Sequence, residues 1–131
     1  MSTGRQVLVA VYAVFALAAG ARSLVQLATR ADEAPLAYTL SLVAAAVYLV
    51  ATLALRRSGP TAYRIALAAV AFELFGVLLV GTLTVLDDEL FADQTVWSTY
   101  GIGYGFVPLV LPIAGLWWLL RHRRMEVAPF R

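Results

Sequence analysis

The stretch Ala62–Leu86, AYRIALAAVAFELFGVLLVGTLTVL, decides the fold. Apart from Arg64 near its start and Glu73 at its middle it carries no charge. At 1.5 Å per residue such a run spans the ~30 Å hydrocarbon core of a bilayer. Three further runs of similar length and character lie along the chain, at 7–29, 36–55 and 96–120. Because backbone groups in lipid must find their partners within the segment, helices are the form these runs can take. The connectors RADEAP, RRSGPT and DDELFADQ are short, so consecutive helices are forced to run antiparallel. The sequence therefore predicts an all-α, membrane-spanning, up-down-up-down four-helix bundle, one transmembrane domain over residues 1–131.

Composition points the same way. Of 131 residues, 62% are hydrophobic and 14% charged, and the mean hydropathy is +0.82. A soluble domain this small buries too little of its surface to hide that much apolar area. Arg5 followed by an apolar run resembles a secretory signal, but the run is longer than such a signal's apolar core, so a retained helix is expected. With no cysteine and one histidine, His122, the chain offers no disulfide, no thiolate metal site and no bis-histidine haem. No metal or cofactor is expected.

All ten basic residues are arginine. On alternating sides of the predicted spans, Arg5, Arg56, Arg57, Arg64, Arg121, Arg123, Arg124 and Arg131 share one face. Only Arg30 sits in a connector on the other, where the acids Asp32, Glu33, Asp87, Asp88, Glu89 and Asp93 also fall. The positive-inside rule then puts both termini and the middle turn in the cytoplasm, with the bundle in the plasma membrane. Arginines spent on orientation do not form a nucleic-acid surface. Tyr38, Tyr63, Trp97, Tyr100, Trp117 and Trp118 fall near span ends, where amphipathic rings anchor a helix at the interface.

Glu73 is the residue with the most chemical content. It lies near the bilayer centre, where an acidic side chain costs at least ~2.5–3.5 kcal/mol, so it must face the bundle interior. It is either a proton- or ion-binding carboxyl or a polar contact that fixes packing. Arg22, inside the first span, is a candidate partner, although side chains leaning toward helix N-termini bring Arg22 inward while Glu73 recedes. Tyr48, at similar depth, and Tyr104 are the other candidates. In the fourth run, Tyr100-Gly-Ile-Gly-Tyr-Gly-Phe-Val-Pro108 followed by Pro112 predicts a helix kinked at Pro108 and Pro112. Gly101-xxx-Gly105 is expected to be a packing face. The outer acids Asp87, Asp88, Glu89 and Asp93 are read as a solvated turn, and Arg121-His-Arg-Arg124 as an anchor drawn to anionic lipid.

No Ser/His/Asp set, phosphate loop, zinc motif or dinucleotide fingerprint occurs. The stretch FADQTVWSTYGIGYGFVPLVLPIAGLWWLLR, residues 91–121, resembles small uncharacterised actinobacterial integral membrane proteins. That resemblance implies four helices and transfers no activity. The leading expectation is a non-enzymatic accessory or packing subunit in the bilayer, as a homo-oligomer or within a hetero-complex. The alternative is a small proton-coupled transporter or ion-conducting protein using Glu73. A lipid-modifying enzyme, resting on the outer acids, is the third.

Overall fold

A computed structural model describes residues 3–87, 89 and 91–122. Three long helices follow the predicted spans: α1 (Thr3–Arg30), α2 (Pro35–Leu55) and α3 (Pro60–Leu86). Pro35 and Pro60 open their helices, where the missing N–H has no intrahelical acceptor to lose. All three are long and apolar enough to cross a membrane.

The fourth run departs from the expected continuous helix. It forms a 3₁₀ segment, Ser98–Tyr104, then α4 (Val107–Arg121), with a bend of 101° between them. The two pass the same span test only when taken together. At 15 residues α4 is about 22 Å long, short of the ~30 Å core. Backbone conformation explains the break. Thr99, Tyr100, Gly101, Gly105 and Phe106 all have positive φ, between 49° and 84°, a region that interrupts a right-handed helix.

This corrects two expectations. Pro108 does not kink a helix; it sits in the first turn of α4, where proline is tolerated, and α4 runs on through Pro112. Gly101 and Gly105 do not form a helix-packing face. Gly101 turns the chain at φ 84°, and a Cβ there would lie 2.7 Å from the Pro108 ring, while nothing approaches Gly105 within 4 Å. The close approaches fall at Gly76, under the Trp97 ring, at Gly81, against Tyr100, and at Gly115, beside the Tyr12 hydroxyl.

Between α3 and the 3₁₀ segment the chain folds back into the end of the bundle that carries the α1–α2 turn, burying Thr95, Val96 and Trp97, with Ser98 at the start of the 3₁₀ segment buried beside them. The Trp97 ring rests on Gly76, ten residues and about 15 Å below the end of α3. That is about half the depth of a ~30 Å core. Trp97 is therefore a core residue rather than an interfacial anchor. Tyr38 and Tyr63 are also buried, as is Trp118, which packs on Gly4 and stacks with His122 at 4.3 Å. Trp117 stays exposed, with the Arg121 guanidinium 4.9 Å over its ring, as an interfacial anchor requires. Of the C-terminal arginine cluster, Arg123 and Arg124 lie outside the described residues, as do Arg131 and Asp88.

The interior is built from small and aromatic side chains. Ala19, Ala44, Ala45, Ala51, Ala66 and Ala69 let the helices approach, and Tyr12, Tyr48, Val70 and Val77 fill the centre. Many large side chains without a polar atom point outward instead: Leu17 is 74% exposed, Phe75 62% and Leu86 78%. Small and polar inside with large and apolar outside is the distribution that lipid selects. The chain is a multi-pass, all-α membrane protein.

Candidate functional site

Glu73 is fully buried on the inner face of α3. Its Oε1 accepts a 2.6 Å hydrogen bond from the Tyr12 hydroxyl of α1. Its Oε2 is buried and has no hydrogen-bond partner among the described residues. The expected interior placement holds, but the partner is one the sequence reading missed. A signal for Tyr12 was present: Leu8, Tyr12, Ala19, Ser23 and Gln26 recur at helical spacing and form the buried stripe of α1. Tyr12 lies nine residues into α1 and Glu73 thirteen into α3, two helices that run in the same direction.

The other named candidates gather elsewhere. The Tyr48 hydroxyl accepts from the Trp97 indole Nε1 at 2.9 Å. Its ring centroid lies 6.1 Å from those of both Tyr12, which is tilted against it, and Phe15, which meets it edge-on. Arg22 donates to the Tyr104 hydroxyl at 3.4 Å in an exposed position and does not bond to Glu73. The lean of side chains toward the helix N-terminus does not close the gap between them. Tyr104 belongs to the 3₁₀ segment rather than to α4, which holds it against the C-terminal half of α1 at Arg22.

A single arrangement links these contacts. All six tyrosine hydroxyls bond to a different element. Besides Tyr12, Tyr48 and Tyr104, Tyr38 donates to Asp93 at 2.9 Å, Tyr63 to the Leu119 carbonyl at 2.9 Å, and Tyr100 pairs with Thr82 at 2.9 Å. The refolded segment is held further by Val96 N–H to Ser41 at 3.2 Å and Thr99 N–H to Thr84 Oγ1 at 2.7 Å. With hydrophobic driving force absent between helices in lipid, such bonds and close packing hold the bundle.

Outside the spans, Asp93 accepts from the Gln94 N–H at 2.7 Å and from Tyr38. These two bonds, the backbone one first, hold its carboxyl below the usual aspartate range. The sign follows from linkage. A carboxyl lowered on folding contributes stability above its unfolded value of about 3.9, lost as pH falls through the lower folded value. Melting followed from pH 7 to pH 3 should show a steeper acid loss for wild type than for Asp93→Asn. Identical acid limbs would contradict the assignment.

Asp93 also borders an outward cleft of about 240 Å³, with Thr84, Gln94, Ser98 and Thr99. Of the neighbouring acids, Asp87 accepts at Oδ1 from the Glu89 N–H at 3.1 Å, as in a solvated turn. Among the described residues no three histidine, aspartate or glutamate side chains are grouped to hold a metal ion. No protein-family model, curated protein or solved structure matches the chain.

Proposed function

We propose that this protein is a non-enzymatic membrane module, an accessory or packing subunit whose first helix receives a partner. The observation that supports it is the outer face of α1. Val7, Val14, Leu17, Leu24 and Val25 are 56–74% exposed along its whole length. Only 22% of its most apolar stretch is buried, against 44% in α2 and α3. Steps of seven residues, 7 to 14 and 17 to 24, keep these side chains on one apolar face, about 100° wide, that a second helix can follow. In this reading the broken fourth segment completes a crossing. Both termini then lie on the cytoplasmic side of the plasma membrane with the arginine-rich turn. Kinship with small actinobacterial membrane proteins rests on residues 91–121 alone.

The cysteine-free chain makes the test simple. Leu17→Cys, labelled with a thiol-reactive benzophenone and irradiated in native membranes, should give one cross-linked species of defined mass. Twice the chain mass means a homo-oligomer and any other value a hetero-complex. Phe75→Cys, exposed to a similar degree on α3, should cross-link far less. No product, or equal products from both, would contradict the reading. The same background reports sidedness, since a cysteine at Ser58 labelled from outside intact cells would overturn the topology.

The second reading is a small proton-coupled transporter or ion-conducting protein, favoured by the unpartnered Oε2 of Glu73. Reconstituted protein should then carry a proton flux that Glu73→Gln abolishes. Equal flux in both proteins would exclude it.

A further inference from the structure

We propose that the groove between α2 and α3 holds one phospholipid with an anionic headgroup, from the leaflet on the arginine side. Two hollows make up this groove. The one further from the α2–α3 turn, about 460 Å³, is wholly apolar in its lining, with Val43, Val47, Ala68 and Phe72 among its walls. The other, about 340 Å³, lies at the α2–α3 turn and brings in Arg57, Ser58 and Thr61. Val50 and Ile65 line both, so the two are continuous.

The chemistry along the groove changes in the order a lipid's does. At the turn stand a guanidinium and two hydroxyls, and Arg5 donates to the Ser58 hydroxyl at 3.4 Å, which brings a second cation to the same point. Arg56 and Arg64 are exposed nearby, and no acid lies in the described residues of this end. Among the described residues a phosphate meets donors and positive charge there. From Thr61 to Phe72 the trough runs eleven residues along α3, about 16 Å. One leaflet of a ~30 Å core is about 15 Å deep. An acyl chain laid in the trough thus reaches the bilayer midplane with its headgroup at Arg57. The charge is on one end only, which selects a lipid over an apolar helix as the occupant.

The test uses the full chain in mild detergent, titrated with phosphatidylglycerol or phosphatidylcholine of identical acyl chains, with bound lipid read by native mass spectrometry. Wild type should retain phosphatidylglycerol at least about fivefold better, the preference one guanidinium confers. Arg57→Gln should lose about fivefold of that preference, and Arg30→Gln, at the opposite end of the helices, should keep it. Ala68→Phe, which fills the trough, should lower retention of both lipids. Equal retention of the two lipids by wild type, which needs no variant, would overturn the proposal. So would an Arg57→Gln protein with wild-type preference, or a dimer that Ala68→Phe converts to monomer, since a second copy would then occupy the groove.

Discussion

Trp97→Ala is expected to cost about 3–5 kcal/mol of folding stability, the range for removing a buried aromatic from a packed core. The ring is 3% exposed and rests on Gly76, and its indole N–H serves the Tyr48 hydroxyl at 2.9 Å. Truncation leaves a void at half depth and takes the donor from a fully buried tyrosine. The backbone of the refolded segment is also tied at Val96 and Thr99, so it cannot collapse freely into the space. Trp97→Phe should fall between, filling most of the void without restoring the bond. Unfolding titrations in mixed micelles would measure both. A loss under about 1 kcal/mol for Trp97→Ala would show that the ring does not pack in the core.

Gly81→Ala is expected to destabilise by about 1–3 kcal/mol, as overpacking does. The added methyl would meet the Tyr100 ring and, at 2.7 Å, the Tyr100 backbone nitrogen. A ring can swing away. The backbone cannot, because the neighbouring Thr99 N–H is tied to Thr84 Oγ1, three residues on from Gly81 in α3. Gly81→Ala combined with Tyr100→Ala should therefore remain destabilised. A neutral single variant, or full recovery in the double, would place the segment away from α3.

The three long helices were legible because length and hydropathy alone define them, and the structure matches 7–29, 36–55 and 62–86 within a few residues. The fourth was not, for a physical reason. Average hydropathy over 96–120 satisfies a span whether the chain is straight or folded back, so it is blind to the break. The signal lay in Gly101, Gly105 and Pro108, whose crowding marks a turn and a new helix start at least as well as a kinked helix. The tyrosines and Trp97 misled in a related way. An amphipathic ring suits both the interface and a buried position where its polar atom has a partner, and only three-dimensional pairing tells the two apart. Glu73 was legible from cost alone, since a mid-span carboxyl must face inward. Its partner was not, because Tyr12 lies 61 residues away and nothing in local spacing links them.

The central claim is that polar side chains latch these helices together, with Glu73 and Tyr12 as the deepest pair. A double-mutant cycle on Tyr12→Phe and Glu73→Leu tests it most directly. Each single change strands the other partner in an apolar core, whereas the double change removes both groups. The bond predicts a double variant less destabilised than the sum of the singles, with a coupling of at least about 1 kcal/mol. Single effects that add to within about 0.3–0.5 kcal/mol would contradict it.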